Sequence, residues 1–274
     1  MGDHEGERSA GRIGPGGSGP EVTIVIPAYN EAHRLAESLP RLVAGIAGYS
    51  SMEIVIVDDG STDETAEVAQ SQRFPPGADV RVVRCPWNRG KGAAVRLGVM
   101  VARGRRIAFM DADMAADVGA LGALLAGLDD AEVAIGSRTV GGAEVLGRSP
   151  TRSLTSSVFN GVVRALLGLR YRDTQCGFKA FRADEGKILL GLCRTEGFAF
   201  DAEVLTLADR LGWRVREVPV VWNSQARGHI RHVRDPLRML ADVLKMRVRL
   251  RHCPTVSDAG RIADGAPRPR AAAR

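Results

Sequence analysis

No run of about 20 consecutive apolar residues, the length that crosses a bilayer, occurs anywhere in the 274-residue chain. That excludes a transmembrane helix and leaves only the membrane surface for any contact with lipid. Aromatic residues are scarce, at 5%, and none interleaves the basic stretches as base-stacking would need, which argues against a nucleic-acid-binding module. Cys85, Cys176, Cys193 and Cys253 are scattered, without CxxC pairing and with no secretory signal ahead of them. A zinc ribbon and a disulfide framework are thereby excluded, and reduced thiols in a cytoplasmic protein are expected. The GxxxxGK[ST] phosphate loop and internal repeats are also absent.

What is present is enough apolar residue, 45%, for a substantial core, together with a formal net charge of +6. The charge favours an anionic partner: nucleic acid, a nucleotide or an acidic membrane surface. Residues 1–20 are polar and Gly-rich and residues 254–274 end in APRPRAAAR, so both are expected to be disordered tails around one folded domain, 21–253.

Inside that domain, short β-branched runs alternate with helical stretches. VTIVI (22–26), EIVIVD (53–58), VRVVR (80–84), RIAFMD (106–111) and EVAIGS (132–137) read as strands, each separated from the next by room for a crossover helix. RLAESLPRLVAGI, TDETAEVAQ after a Ser61 or Thr62 cap, and KGAAVRLGVMVA (91–102) read as those helices. The expected fold is α/β, with a mostly parallel central sheet flanked by helices. Ligands of such sheets bind beyond the carboxyl ends of the strands, so the loops after 26, 58, 84 and 111 should converge on one crevice.

Those loops are polar. PAYNEA follows the first strand, where Pro27 is expected to stop the ladder and Tyr29, Asn30 and Glu31 to edge the crevice. In DDGSTDET, Asp58 or Asp59 suits a ribose hydroxyl or a base N–H, whereas Asp63 and Thr62 suit a helix cap. NRGKG sets Arg89 and Lys91 between glycines at a helix start, a place for a phosphate or ribose contact. IAFMDADMAAD ends an apolar run in Asp111 and Asp113, whose like charges, one residue apart, call for a cation between them. Two aspartates alone read more readily as an acidic turn than as a metal site.

In order, VIPAYNEAHRL, VDDGSTDET, NRGKGAAVRLG, FMDADMA, IGSR, RDTQCGFKAFR, GFAFDAEVL and EVPVVW resemble the family 2 glycosyltransferases of the GT-A fold. Within that family they look most like the enzymes that load a sugar onto polyprenyl (dolichyl) phosphate, and DTQCGFKAF with FAFDAEVL most like the dolichyl-phosphate β-glucosyltransferases. The resemblance implies a single GT-A domain and inverting transfer from a nucleotide-sugar donor, usually UDP-glucose, to give a β-linked polyprenyl phosphate sugar. It also implies a divalent cation, Mg²⁺ or Mn²⁺, ligated by Asp113 with help from Asp111. Departure of a nucleoside diphosphate builds negative charge that such an ion neutralises. Ala115 stands where related mannosyl enzymes carry a metal-binding glutamine, so weak metal affinity without the diphosphate is expected.

Pro27, Tyr29, Glu31, Asp58, Asp59, Lys91 and Ala112 complete the implied donor-facing set. Arg138 of IGSR and Arg227 of SQARGHIRHVRD, the segment after the expected strand EVPVVW, are implied as diphosphate contacts, and Arg152, Ser156 and Arg231 as acceptor contacts. Ile230 replaces the usual serine before Arg231. Asp201 falls where relatives with hydroxyl acceptors keep a catalytic base; an ionised phosphate acceptor needs none, and capping of the following helix is the preferred reading. A GDP-mannose-dependent enzyme and a soluble hydroxyl acceptor are the alternatives. A nucleotidyltransferase would open with a glycine-rich activating loop, and PAYNEAHRL is not one.

Two helices are candidates for peripheral contact with an anionic membrane. In PLRMLADVLKMRVRLR (236–251), with Asp235 as cap, Leu237, Leu240, Ala241, Leu244 and Val248 form an apolar stripe among Arg and Lys. A basic helix packed on the sheet is the equal alternative. SLTSSVFNGVVRALLGL (153–169) is the second candidate.

Overall fold

The computed structural model describes residues 19–147, 150–223 and 234–251. The disorder expected of the tails lies outside these residues. In chain order the elements are β1 (Val22–Ala28), α1 (Ala32–Ile46), β2 (Met52–Asp58), α2 (Thr65–Ser71), β3 (Ala78–Arg84), α3 (Lys91–Val101), β4 (Arg106–Met110), a 3₁₀ turn (Val118–Ala120), α4 (Leu121–Ala126), β5 (Val133–Ser137), β6 (Glu144–Leu146), α5 (Pro150–Leu167), β7 (Phe178–Arg182), α6 (Ala183–Leu192), α7 (Phe200–Arg210), β8 (Val215–Pro219), β9 (Val221–Asn223) and α8 (Arg234–Leu250).

Seven strands form the central sheet in the order β3-β2-β1-β4-β7-β5-β8, and β6 pairs with β9 in a small second sheet. β1, β2, β3 and β4 run parallel, as do β5 and β8, while β7 lies antiparallel between β4 and β5. Strand order reverses between β1 and β4, which is where an open α/β sheet leaves a crevice for ligand. Apolar side chains fill both faces. Ile24, Ile54 and Phe178 pack beneath α1, whose Leu35, Leu39, Leu42 and Ile46 are all buried, while Val25, Val55 and Phe109 pack beneath α3 and α7. At roughly 1.5–3 kcal/mol for each large side chain removed from water, this two-sided core dominates the stability.

Three sequence expectations change. Pro27 does not end the ladder: β1–β2 pairing continues through Pro27↔Val57 to Ala28↔Asp58. The β1–β4 pairing has by then stopped, at Val25↔Phe109, so the missing proline N–H falls where β1 keeps only one neighbour. EVPVVW is not one strand. It breaks at Val220 into β8 and β9, which belong to different sheets. α2 begins at Thr65 with no side-chain cap, so neither Ser61 nor Thr62 caps it. In α1, Pro40 sits on the exposed side, where a lost helix hydrogen bond is replaced by water.

Candidate active site

The loops beyond β1, β2 and β3 are tied to one another. The Asn30 amide N–H donates to Ser61 Oγ at 2.9 Å, the Thr62 N–H donates to Asn30 Oδ1 at 2.9 Å, and Glu31 N–H donates to Thr65 Oγ1 at 2.8 Å. Asp63 accepts from Thr65 N at 3.1 Å and from Ala32 N at 3.2 Å, so its structural role bridges the starts of α1 and α2. Asn30 takes φ +53°, a left-handed conformation that asparagine tolerates. Gly60 is required for two reasons. Its φ is +72°, and a Cβ there would stand 2.4 Å from the Trp87 carbonyl carbon.

The two acids ending β2 differ. Asp59 is engaged by Gly90 N at 2.7 Å, Asn88 Nδ2 at 3.0 Å and Arg89 N at 3.1 Å, and burial pushes its carboxyl up from the ordinary range. It holds the loop before α3. Asp58 uses Oδ1 to accept from Ser61 N at 2.9 Å, while its buried Oδ2 has no hydrogen bond and pairs with Arg84 Nε at 3.3 Å. Of the pair, Asp58 keeps acceptor capacity in the crevice. Tyr29 is 42% exposed at its edge, and Glu31 is drawn to Arg34 at 2.7 Å.

Asp111 and Asp113 stand at the exit of β4, across the strand-order reversal from β1. The turn is fixed by Met114 N donating to Asp111 O at 2.9 Å, with Met114 at φ +45°, and by Ala115 N donating to Asp113 Oδ1 at 3.1 Å. Ala112, named for the donor set, is buried, with its carbonyl accepting from Ser38 Oγ at 2.6 Å; the Asp113 carbonyl accepts from Arg41 at 3.0 Å. Burial, then the like charge of Asp111, raises the Asp113 carboxyl above its usual range. Asp111 meets Lys91, the first residue of α3, whose Nζ lies 2.6 Å from Oδ1 and 3.9 Å from Asp201 Oδ2. Burial would favour a neutral amine, but Asp111 and then Asp201 hold Lys91 charged.

The antiparallel strand β7 brings in residues to which the sequence reading assigned no role. Gly177 donates no unusual φ but supplies space: a Cβ there would lie 2.0 Å from Asp111 Oδ2. Lys179, opposite Phe109 in the β4–β7 register, is fully buried and bonds Asp201 Oδ1 at 2.5 Å and the Cys176 carbonyl at 2.6 Å. Asp201 does not cap α7: the cap position is Ala199, with no side-chain hydrogen bond, and Asp201 lies in the first turn as the partner of Lys179. Burial pushes its carboxyl up while the two ammonium groups pull it back. A lysine within the apolar run GFKAF was the signal in the sequence, because a buried ammonium must find an anion.

Arg138 follows β5 and forms a two-pronged pair with Asp173, Nε to Oδ2 at 2.7 Å and Nη2 to Oδ1 at 2.9 Å, with its guanidinium 4.8 Å from the Trp222 ring centroid. Trp222 belongs to β9, which is tethered just past the aspartate turn by Asn223 N donating to Ala115 O at 2.7 Å and by Asp117 N donating to Val221 O at 2.9 Å. Burial pushes the neighbouring Cys176 thiol up to about 12, so it is an inert core thiol. Among the described residues Cys85, Cys176 and Cys193 are free.

Ser156 is exposed on α5, where Arg152 also falls in the helix; Arg227 and Arg231 lie outside the described residues. On α8 the residues turned inward are Val243, Met246 and Leu250, whereas Leu237, Ala241, Leu244 and Val248 of the expected stripe are exposed. Leu240 is half-buried. No helix among the described residues is long and apolar enough to cross a membrane.

The comparisons with known proteins give the family and the fold. The Glycosyl transferase family 2 profile matches residues 23–184, which span β1 to the start of α6. The chain belongs to glycosyl transferase family 2. Within this family it is 36% identical to the dolichyl-phosphate β-glucosyltransferase of Drosophila melanogaster, over 74% of this chain and 67% of that protein. It is 32% identical to the human dolichyl-phosphate β-glucosyltransferase, over 84% and 75%. Among solved structures, glucosyl-3-phosphoglycerate synthase of Mycobacterium tuberculosis in complex with Mn²⁺, UDP and phosphoglyceric acid superposes with a TM-score of 0.62 at 21% identity, covering 87% of this chain and 81% of that one. The GT-A fold is thus the fold of this glycosyltransferase.

The residues at the β4 exit fit a divalent cation. Asp111 and Asp113 supply hard carboxylate oxygens, and one of them, Asp111 Oδ1, already holds a cation, the Lys91 ammonium at 2.6 Å. Among the described residues no group of three or more His, Cys, Asp or Glu could hold a metal ion. Such a site suits Mg²⁺ or Mn²⁺ that completes its shell with phosphate oxygens and water.

Proposed function

We propose that this family 2 enzyme transfers glucose from UDP-glucose to the phosphate of a polyprenyl (dolichyl) lipid, with inversion, giving a β-linked polyprenyl phosphate sugar. The observation that carries the reading is the Asp111–Asp113 turn at the strand-order reversal, in a chain whose relatives are named dolichyl-phosphate β-glucosyltransferases. Asp58 receives the nucleoside through Oδ2, which makes no hydrogen bond, with Tyr29 at the rim. Asp111 and Asp113 hold Mg²⁺ or Mn²⁺, which when bound neutralises charge on the departing diphosphate. Arg138 is aimed by Asp173 and Trp222, and because that pair uses Nε and Nη2, its Nη1 edge is turned to a donor phosphate. Arg227 adds a second guanidinium to the donor, and Arg152, Ser156 and Arg231 position the acceptor phosphate.

The state of Asp201 favours a phosphate acceptor over a hydroxyl one. A phosphate oxygen is ionised at neutral pH and attacks unaided, whereas a hydroxyl needs a base within reach. Asp201 is 2% exposed and paired with Lys179, so it acts as a framework ion. The acceptor's lipid gives α8 and α5 a reason to meet the membrane. α8 exposes Leu237, Leu244 and Val248 beside Arg238, Lys245 and Arg251, and α5, packed against it, exposes Val158 and Val162. Flotation with anionic liposomes tests the contact; a protein left wholly at the bottom of the gradient refutes it.

The direct test offers radiolabelled UDP-glucose or GDP-mannose with Mn²⁺ to the enzyme, together with a polyprenyl phosphate or a simple alcohol. Label from UDP-glucose passing into the organic phase with the phosphate alone is expected. Label from GDP-mannose would move the reading to a mannosyltransferase, and transfer to the alcohol would reinstate Asp201 as a base.

A further inference from the structure

Lys91 stands where its local structure disfavours it. It opens α3, an 11-residue helix whose amino end carries partial positive charge, and cations are unfavourable there. Its ammonium is nevertheless held inside, 2.6 Å from Asp111 and 3.9 Å from Asp201, over the rings of Phe109 at 5.9 Å and Phe200 at 5.8 Å. Asp201 does not depend on it, having Lys179 at 2.5 Å. Asp111 does: no other basic side chain is recorded in ion-pair contact with it among the described residues. Gly90 before it takes φ +115°, and Gly92 after it has no room for a Cβ, which would stand 2.5 Å from the Thr195 carbonyl oxygen. The backbone therefore fixes the base of the side chain and leaves only its four-carbon stem to move.

Two features make the contact one that can be given up. The ammonium sits at the end of a flexible four-carbon stem and meets Asp111 through one oxygen, Oδ1 at 2.6 Å. Asp111 also opens to solvent, its side chain being 27% exposed against 3% for Asp201. A cation already on Asp111 opposes a second one beside it, and the described residues, with no group of three or more His, Cys, Asp or Glu, have little with which to overcome that opposition.

We propose that Lys91 is a tethered stand-in for the divalent ion: it occupies Asp111 in the empty enzyme, excludes free metal from the aspartate pair, and moves to the donor's diphosphate when donor and metal enter together. The proposal rests on the metal-and-diphosphate reading of the site. It makes metal and nucleotide mutually dependent ligands, so that each strengthens the other's binding by the same factor. Metal without nucleotide then gains little, and the enzyme is not filled unproductively by cellular Mg²⁺.

The test measures Mn²⁺ binding by electron paramagnetic resonance of the free ion, with and without UDP, in the wild type, Lys91→Met and Lys91→Arg. Methionine matches the stem, removes the charge and suits the two phenylalanine rings. The wild type should bind Mn²⁺ weakly alone and much more tightly with UDP. Lys91→Met should bind Mn²⁺ alone about tenfold more tightly than the wild type and lose most of the UDP enhancement, while Lys91→Arg should keep the wild-type pattern. Equal or weaker Mn²⁺ binding by Lys91→Met overturns the proposal, whereas absence of Mn²⁺ binding in the wild type even with UDP overturns the site reading itself. Should Lys91→Met fail to fold, a crystal structure of the wild type with Mn²⁺ and UDP decides: Lys91 transferred from Asp111 to a phosphate oxygen supports the proposal, and Lys91 still on Asp111 overturns it.

Discussion

On the β3-β2-β1-β4 side of the sheet, the loops above the strands are held by backbone and hydroxyl hydrogen bonds, such as Asn30 with Ser61 and Thr62, and Asp59 with the 88–90 amides. On the β7-β5-β8 side, the same level of the molecule is held by buried ion pairs, Lys179 with Asp201 and Arg138 with Asp173. The first side consists of parallel strands joined in sequence, whose loops reach one another directly. The second contains a strand inserted in the opposite direction, so its contributors come from distant parts of the chain and are charged. A lost neutral hydrogen bond costs roughly 0.5–1.5 kcal/mol, whereas removing one member of a buried ion pair costs about 3–5 kcal/mol because its partner stays behind. The parallel side should therefore tolerate single substitutions that the other side does not.

The aspartate turn lies on the boundary between the two sides, and it should show the largest catalytic effect with little cost to the fold. Asp113→Ala is expected to lower turnover at least about a thousandfold, the scale of losing a charge-stabilising group, with an unchanged melting curve. Asp113 touches neither set of ion pairs, so a collapsed melting curve would break the distinction.

Lys179→Met should have the largest effect on stability, about 3–5 kcal/mol, because Asp201 is left buried with the Lys91 ammonium 3.9 Å away. Lys179→Met/Asp201→Leu should recover part of that loss in chemical denaturation. A single variant as stable as the wild type would mean that the pair is not what holds this side together.

Next in size is Gly177→Ala, whose Cβ would meet Asp111 Oδ2 at 2.0 Å. Affinity for Mn²⁺ with UDP should fall about ten- to a hundredfold, the cost of disturbing an orienting neighbour of a metal ligand. Arg152→Ala, at the proposed acceptor contact, should raise the acceptor KM about tenfold, as loss of one charge-assisted contact would, and leave the donor KM unchanged. Equal effects on both substrates would remove Arg152 from the acceptor site.

The smallest effect concerns the opposite end of the strands. Glu53 is buried beneath Thr23, Arg81 and Arg103, at 2.7, 2.5 and 2.7 Å. Burial raises its carboxyl, but the hydrogen bonds from Thr23 and the two arginines outweigh it, and the net direction is downward. A folded-state value below the unfolded one stabilises the protein above the unfolded value, and that stabilisation is lost as pH falls through the folded one. Glu53→Gln should lower Tm by a few degrees at pH 7, the scale of about 1–3 kcal/mol. The gap to the wild type should close in acid below the ordinary glutamate range.

The same division explains what was legible in the sequence. β-branched runs and the polar loops after them announced β1 to β5 and their crevice, because in parallel units local pattern and final position coincide. Asp111, Asp113 and Lys91 were found there. Asp173, Gly177 and Lys179 stood in a recognised stretch, yet no local pattern says that β7 inserts between β4 and β5 or that Lys179 faces Asp201. Those are facts of tertiary pairing. The stripe on α8 was visible as a pattern, but not the direction it faces: a second apolar line, Val243, Met246 and Leu250, is the one that packs inward.

The central claim, that the aspartate pair gathers a divalent ion and the donor's diphosphate at the strand-order reversal, is tested most directly by an anomalous difference map from crystals grown with Mn²⁺ and UDP. The account predicts one strong peak in contact with Asp113 and two phosphate oxygens, with the uridine lying toward Asp58. A peak elsewhere, or UDP bound with its diphosphate away from Asp111 and Asp113, would contradict it.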